Sequence, residues 1–360
     1  MIWLKRIGYA VLALLLVVAV IVIDFLRHGG QFKTLQAGFN GSCVALPLEA
    51  SAEDIQIDRA RGVAYLSWLD RRGLVEKRPV SGTVMLLDLN VPTPRPRPAL
   101  NVTPDGFRPH GMSIYRAGDG NVRLFVINHQ VLAAGSEPEE IIDIFEQGSN
   151  GGFNALRSVR DPLLHSPNAI LAVGPSQFYV ANDSGAMSGI ERGMELLFRR
   201  GLSKIVYFDG QSMRVAASGL KSAAGIAMSP DGSRVYVSET AGNRIAVFAR
   251  TAASGDLALL GHVDIGSAPD NLNVNADGTV WIAAHAKVLA LIRHFGDAGS
   301  PAPTQILKLA PNEDVGSMQA EQVYLNAGEQ MSAGSVAAVL NNQMLIGSIT
   351  ERKVLQCRLP

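Results

Sequence analysis

The chain has no excess of charge of either sign. Its 32 Lys and Arg residues balance 32 Asp and Glu residues among 360 residues. Proteins that bind nucleic acid through phosphate contacts carry a basic excess or a basic stripe, so the neutral balance gives no reason to expect a nucleic-acid partner. The length is enough for one large β domain or for two smaller domains.

Cysteine is also scarce. Only two are present, Cys43 near the start and Cys357 near the end of the chain. In a domain exported from the cytoplasm, such a pair predicts one disulfide. The alternative is two unrelated buried thiols. The position of the two cysteines at opposite ends of the folded region favours the bond.

Charge is missing altogether from residues 7–23, and Lys5 and Arg6 precede this run. At 1.5 Å per residue the run nearly spans a hydrocarbon core of about 30 Å. A cleaved signal peptide is the alternative, but no small-residue cleavage site follows the run. We therefore expect residues 1–27 to be a membrane anchor. The basic residues before the run predict an extracytoplasmic location for the rest of the chain.

Glycine and proline are plentiful, with 36 and 18 residues, as turn-rich β folds require. Glycines are frequent in residues 28–42, which we expect to be a linker to a domain over residues 43–360. Within this domain a short signature recurs six times, about 47 to 64 residues apart, the spacing of propeller blades. The copies are Glu53-Asp54-Ile55, His110-Gly111-Met112, Asn168-Ala169-Ile170, Ala224-Gly225-Ile226, Asn271-Leu272-Asn273 and Ser335-Val336-Ala337.

Each copy opens an apolar run, and two further short apolar runs follow it, bounded by turn residues. In the fifth repeat the third run is 288–291, and 305–308 is read as a fourth strand. Six repeats of about four strands predict an all-β, six-bladed β-propeller. The last repeat stops at its third strand, so the segment around Cys43 is expected to supply the missing outer strand. Residues 188–200 break the β pattern and predict a short inserted amphipathic helix, either a lid or membrane contact, or a helix packed on a blade edge.

The first strand of a propeller blade lines the central channel, and the residues that open these strands are polar in several repeats. Carboxylate and amide oxygens suit calcium, whereas structural zinc prefers sulfur and nitrogen. Any one of these polar residues, taken alone, would be interpreted as a turn residue or a strand-end cap. Their recurrence at the same position of several blades predicts one site. These residues are Glu53, Asp54, His110, Asn168, Asp270 and Asn271.

The ordered set of these motifs resembles the paraoxonase/arylesterase family from about Cys43 to Cys357. The resemblance is carried by 107–113, Val126-Ile127-Asn128-His129, Glu53-Asp54, 168–175, Pro269-Asp270-Asn271, Ser229-Pro230-Asp231-Gly232 and the two cysteines. It implies a six-bladed propeller with two calcium ions in its channel that hydrolyses lactones and aryl esters.

The resemblance also implies roles for individual residues. His110 matches the base that activates water, and His129 its partner. Asp54 and the Met112 carbonyl match ligands of a deeper, structural calcium, and His285 and Asp183 match further polar residues around the site. The catalytic calcium is matched by Glu53, Asn168, Asp270 and Asn271. Two departures stand out, because Ala224 and Ala169 replace an asparagine and an aspartate that bind calcium in the family.

We therefore expect a membrane-anchored, calcium-dependent hydrolase of lactones and aryl esters, acting on a small-molecule substrate. One catalytic calcium site is predicted, and the deeper site is expected to be compromised by Ala169 because calcium affinity depends on the number and charge of its ligands. A non-catalytic binding propeller with eroded calcium sites is one alternative. A hydrolase similar to gluconolactonases is another, although the pair His110 and His129 favours the paraoxonase type.

Overall fold

The computed structural model describes residues 2–133 and 135–360, and its main β-strands form six sheets arranged as blades. An apolar helix, α1 (Ile2–His28), precedes the sheets. Two short strands follow, β1 (Gly38–Phe39) and β2 (Ser42–Pro47), and both add to sheets formed near the end of the chain. The predicted six-bladed β-propeller is confirmed.

Each of the first three blades is an antiparallel sheet of four strands in chain order. Blade 1 contains β3 (Ser51–Asp58), β4 (Val63–Leu69), β5 (Thr83–Asp88) and β6 (Arg97–Pro98). Blade 2 contains β7 (Pro109–Arg116), β8 (Val122–Gln130), β9 (Glu139–Gln147) and β10 (Phe153–Val159). Blade 3 contains β11 (Pro167–Ala172), β12 (Phe178–Asn182), β13 (Ser203–Phe208) and β14 (Met213–Leu220).

The last three blades follow the same order, with additions from the start of the chain. Blade 4 contains β15 (Ala223–Met228), β16 (Arg234–Glu239), β17 (Arg244–Thr251) and β18 (Asp256–Asp264). Blade 5 contains β19 (Ala268–Val274), β20 (Val280–His285), β21 (Thr304–Leu309) and β22 (Ala320–Asn326), with β1 on its outer edge. Blade 6 contains β23 (Gly334–Leu340), β24 (Gln343–Ser348) and β25 (Lys353–Arg358).

The outer strand of blade 6 comes from the beginning of the propeller. Strand β2 pairs antiparallel with β25, and Cys43 lies opposite Cys357 in this register. The two cysteines form a disulfide. A propeller closes its ring in this way, because pairing the first and last segments leaves no unpaired edge between them. Both the predicted closure and the predicted disulfide are confirmed.

The hydrophobic core lies between neighbouring blades. The second strands are almost entirely buried, as the apolar runs predict. Across the interface of blades 2 and 3, for example, the rings of Phe125 and Phe178 lie 5.8 Å apart. Packing of this kind fixes the angle between blades and so holds the inner strands around one axis.

The strand predicted at 288–291 is wrong. These residues begin a helix, α4 (Val288–Gly296). The third strand of blade 5 is β21, which contains the predicted fourth strand at 305–308, and the true fourth strand, β22, was not predicted. A four-residue apolar run fits a helix or a strand equally well. Here the pattern continues with Ile292 exposed and His294 buried, which is helical amphipathicity.

Three helices connect second strands to third strands: α2 (Arg71–Val75), α3 (Gly189–Leu197) and α4. Because these connections lie where the first strands begin, all three helices sit on the same face of the propeller. Helix α3 confirms the predicted inserted helix, and Ser188 caps its start, since the Ser188 hydroxyl accepts from the N–H of Glu191.

Helix α1 is long and apolar enough to cross a membrane, with a mean hydropathy of 2.9 over its most apolar part. Its end lies against the face that carries the three helices. Asp24 pairs with Arg199 at 2.5 Å, and the side-chain amide of Asn243 donates to the carbonyl of His28. The N–H of Val288, at the start of α4, donates to the carbonyl of Gly29.

Candidate active site

The six copies of the sequence signature coincide with a backbone irregularity at the start of each inner strand. In every blade the register between the first and second strands shifts at this point. Such a bulge places extra residues on one strand and re-aims their side chains. The shifts fall between Ala52 and Ile55, Pro109 and Met112, Pro167 and Ala169, Ala223 and Ile226, Pro269 and Leu272, and Gly334 and Val336.

Close approach of neighbouring bulges explains the glycine at two of the six positions. A β-carbon on Gly111 would overlap the carbonyl oxygen of Asn168, and one on Gly225 would overlap the carbonyl oxygen of Asp270. Glycine is the residue that permits such backbone contact. These two residues therefore set the distance between adjacent inner strands at the level of the site.

A cavity of about 410 Å³ opens at this end of the channel. It brings together residues from blades 1, 2, 3, 5 and 6 that are far apart in sequence. Its polar lining includes Glu53, Arg71, His110, His129, Asn168 and Asp270. Five of these six residues were predicted as site residues, and their convergence is what the propeller geometry implied.

Glu53 lies at the base of this cavity with only 3% of its surface exposed. Its Oε1 accepts from the side-chain amide of Asn271 over 2.7 Å. Its Oε2 is buried and has no hydrogen-bond partner among the described residues. Burial raises the pKa of Glu53 to about 8, opposed by Arg71 and reinforced by Asp270. The nearby guanidinium of Arg71 therefore does not offset the cost of burying this carboxylate.

Asn168 and Asp270 add oxygens to the same region. The Oδ1 of Asn168 is buried and, within residues 2–133 and 135–360, also has no hydrogen-bond partner. Asp270 Oδ2 lies 3.0 Å from Nε2 of His285. No three His, Cys, Asp or Glu side chains of the described part of the chain form a metal-binding group by themselves. A cation held here would need the amide oxygens as well as the carboxylates.

Asp54 lies deeper in the channel and is surrounded by donors. The backbone N–H of Met112 donates to its Oδ2 over 2.6 Å. The side-chain amide of Gln56 reaches both carboxylate oxygens, at 3.1 and 3.3 Å. Burial raises the pKa of Asp54 to about 6, and these hydrogen bonds oppose the shift. The Asp54 carboxylate is thus satisfied by N–H groups and differs in this respect from Glu53.

His110 and His129 form a hydrogen-bonded chain with a third residue. Nδ1 of His110 lies 2.8 Å from Nε2 of His129, and Nδ1 of His129 lies 2.5 Å from Oε2 of Glu140. A carboxylate only accepts, so the chain places a proton on Nδ1 of each ring. Nε2 of His110 then keeps its lone pair, 3.5 Å from Glu53 Oε2. Burial first, and then His129 and Arg71, lower the pKa of His110 well below its usual value.

Two residues of this arrangement were not predicted from the sequence, Glu140 and Arg71. Glu140 stands directly opposite His129 in the pairing of β8 and β9, a relation that the hairpin register could have indicated. Arg71 is the first residue of α2, which the side chain of Asp70 caps by accepting from the N–H of Gly73. The sequence Asp70-Arg71-Arg72-Gly73 after a strand was the available signal for this helix start.

Three further predicted positions are not among the residues that line the cavity. Ala224 and Ala169 are buried on the inner strands of blades 4 and 3 and offer only methyl groups. Asp183 pairs with Arg192 of α3 at 2.7 Å and accepts from the hydroxyl of Ser166. It ties α3 to blade 3 instead of lining the cavity.

Comparisons with known proteins agree with this architecture. Residues 40–359 match the family model described as Arylesterase. Human serum paraoxonase/arylesterase 1 is 29% identical over 93% of this chain and 96% of its own length. Human serum paraoxonase/arylesterase 2 is 30% identical over 87% of both chains. A gluconolactonase of Xanthomonas campestris shares the fold at a TM-score of 0.50 and 15% identity, covering 90% of this chain and 91% of that one.

The family model spans most of the chain, and the relatives are named for arylesterase or lactonase activity. The cavity holds a histidine with a free lone pair beside buried carboxylate and amide oxygens. This protein belongs to the arylesterase family of paraoxonase-type, six-bladed propellers and is an esterase-type hydrolase.

Proposed function

We propose that this enzyme hydrolyses lactones and aryl esters with His110 as the base and with one calcium ion. The calcium ion is held by oxygens of Glu53, Asn168, Asp270 and Asn271, which we call the upper oxygen set. The observation that carries the proposal is the pair of buried, unpartnered oxygens, Glu53 Oε2 and Asn168 Oδ1, beside the free Nε2 of His110. Unpartnered buried oxygens are costly. Their concentration at one point of the channel favours a bound cation.

The donor set fits calcium. Glu53, Asn168, Asp270 and Asn271 provide carboxylate and amide oxygens, the ligands that calcium prefers, and calcium tolerates loose geometry and bound water. Calcium bound here would polarise the carbonyl of the substrate and compensate charge that develops on its oxygen. The deeper site at Asp54 fits calcium less well, because N–H donors already satisfy the Asp54 carboxylate.

His110 supplies the proton transfer in the proposed reaction. Its Nε2 takes a proton from a water molecule, whose oxygen forms a new bond to the carbonyl carbon. The C–O bond to the leaving group then breaks, and the leaving oxygen takes the proton from Nε2 of His110, which returns to its neutral form. A lactone yields a hydroxy acid, and an aryl ester yields an acid and a phenol. His129 accepts from His110 and fixes the ring, with Glu140 fixing His129 in turn.

The low pKa of His110 keeps this imidazole neutral around neutral pH, and only the neutral form can accept the proton of water. The apolar side chains of Leu69, Leu74 and Ile349 share the cavity with these polar groups. They provide a surface for the hydrocarbon part of a lactone or an aryl ester.

We further propose that α1 anchors the enzyme in a membrane with the propeller on the extracytoplasmic side, which the disulfide favours. The end of α1 lies on the face that carries the cavity, and exposed apolar residues of α3 lie on this face too. Ile190 is 83% exposed and Met194 is 44% exposed. Removal of residues 1–27 should release the protein from the membrane fraction, and retention there would contradict the anchor.

A substrate panel tests the catalytic proposal. The full chain, purified in detergent, is assayed with γ- and δ-lactones, phenyl acetate and gluconolactone. His110→Gln should lower kcat by about 100-fold or more, while the matched variant His165→Gln, at an exposed histidine outside the cavity, should retain activity. Hydrolysis of gluconolactone alone would favour the gluconolactonase alternative. Hydrolysis of none of these compounds would contradict the proposal.

A further inference from the structure

Arg71 is a buried cation within the wall of the active-site cavity. Only 8% of its surface is exposed. Its Nη2 donates to the carbonyl of Pro109 over 2.6 Å and to the hydroxyl of Ser67 over 3.0 Å. The same nitrogen lies 4.0 Å from Glu53 Oε2. The guanidinium is thus fixed by backbone and hydroxyl acceptors, close to the carboxylate but without a direct hydrogen bond to it.

Without a further cation, the channel contains more acidic than basic side chains. Glu53, Asp54 and Asp270 are buried on the opening residues of β3 and β19. Arg71 is the buried arginine beside them and is always charged. When the three carboxylates are ionised, as metal binding requires, they and the one guanidinium leave two negative charges, which one divalent cation would neutralise. Two divalent cations would instead leave an excess of positive charge.

Asp54 and Glu53 differ in the groups that surround them. Asp54 is held by the N–H groups of Met112 and Gln56, so it is stabilised without a metal ion. Arg71 acts on Glu53, at the cavity. Charges in a buried site are weakly screened and interact strongly over such distances. A guanidinium near Glu53 therefore repels any divalent cation bound to the same carboxylate.

We propose that Arg71 is an internal cation of the active site, which replaces the charge of a second metal ion and sets the affinity for the single calcium ion. This inference rests on the proposed function, because it takes the upper oxygen set as the cation site. It assigns Arg71 a positioning role, since the guanidinium acts through Glu53. The protein then binds one calcium ion per chain, less tightly than the oxygen ligands alone would allow.

Calcium binding by the full chain tests the proposal without reliance on activity. Stoichiometry is measured by equilibrium dialysis with metal analysis, and affinity by the rise of the unfolding temperature with calcium concentration. Wild type should bind one calcium ion. Arg71→Met should bind calcium at least about tenfold more tightly, because a nearby positive charge is removed. Arg71→Lys keeps the charge and should stay within about threefold of wild type.

Arg72→Met is the matched control. Arg72 follows Arg71 in α2, but its guanidinium donates to the carbonyls of His294 and Phe295 in α4. This variant removes the same kind of side chain from the same helix without touching Glu53. Its calcium affinity should equal that of wild type. An equal increase in Arg72→Met would assign the effect to the helix and overturn the proposal.

The outcomes separate this inference from the proposed function. Two calcium ions bound by wild type, or no tighter binding by Arg71→Met, would overturn the role of Arg71 and leave a calcium-dependent hydrolase intact. Calcium binding by Arg71→Met alone would support the role of Arg71 as an internal cation and contradict the calcium dependence of the natural enzyme. Absence of binding in both proteins would overturn the inference and the calcium site together.

Discussion

Glu140 lies opposite His129 across strands β8 and β9, with Oε2 of the carboxylate 2.5 Å from Nδ1 of the ring. This contact orders the protons along His129 and His110 and leaves Nε2 of His110 as the acceptor that faces the cavity. Glu140 and His129 are both partly exposed. Their contact therefore affects the proposed base, His110, through the ring of His129.

Glu140→Gln should lower kcat by about tenfold with little change in KM, because the charge that supports the two rings is lost. Without this carboxylate the imidazole pair is less basic, so the acidic limb of the pH–rate profile should move to lower pH. The control is Glu139→Gln, since Glu139 pairs with Arg160 at the exposed start of the same strand. Equal profiles for wild type and Glu140→Gln would exclude the positioning role.

Gly111→Ala should weaken calcium binding more than tenfold while the propeller still folds. The added methyl group would overlap the carbonyl oxygen of Asn168, so the bulge of β11 that carries the ligand must move. Metal sites lose affinity when a ligand is displaced. Gly118→Ala is the control, because nothing lies within 4 Å of the added atom. Calcium affinity of both variants is measured by the rise of the unfolding temperature with calcium concentration. Equal affinities of Gly111→Ala and Gly118→Ala would refute the claim.

The calcium-free enzyme should become more stable as pH falls from 8 to 6.5. Glu53 has a folded pKa raised to about 8 from 4.5, so the folded state binds a proton in this range that the unfolded state lacks. Below 6.5 the lowered pKa of His110 opposes this gain, because the unfolded state then takes up a proton first.

Saturating calcium should remove this dependence, since it favours the ionised carboxylate. Unfolding temperatures measured in chelator and in calcium across this pH range give the comparison. A loss of stability of the calcium-free protein between pH 8 and 6.5, or parallel curves in chelator and in calcium, would contradict this prediction.

The disulfide should contribute to the stability of the closed ring. Cys43 and Cys357 are separated by 314 residues, so the bond closes a loop that holds nearly the whole propeller. Replacing both cysteines by serine should lower the free energy of unfolding by about 2–5 kcal/mol. Urea unfolding of the double variant measures this change. An unchanged midpoint would show that the pairing of β2 with β25 closes the ring unaided.

Much of the architecture was predictable, because it rests on local patterns that recur. The six signature copies mark six bulges, and glycine at Gly111 and Gly225 reflects contact between neighbouring bulges. Closure by β2 followed from the missing strand of the last repeat. These features depend on short-range chemistry and on a count of strands, and both are visible in the sequence.

Other features depend on contacts that no local pattern specifies. The apolar run 288–291 is too short to show a periodicity that would distinguish a strand from the start of α4. Glu140 acquires its role only through the register of β9 against β8. Arg71 reaches Glu53 because a single helical turn, capped by Asp70, folds back over the channel. The site residues on the inner strands were therefore predicted from the repeat, and His129 on β8 from the family resemblance. Glu140 on β9 and Arg71 on α2 were missed.

We propose that hydrolysis by this enzyme requires one calcium ion held at Glu53, Asn168, Asp270 and Asn271. The most direct test is the activity of the full chain on a lactone after calcium is removed by a chelator and then titrated back. We predict that hydrolysis is lost on removal and restored as one calcium ion per chain is bound. Undiminished hydrolysis by the calcium-free enzyme would contradict the account.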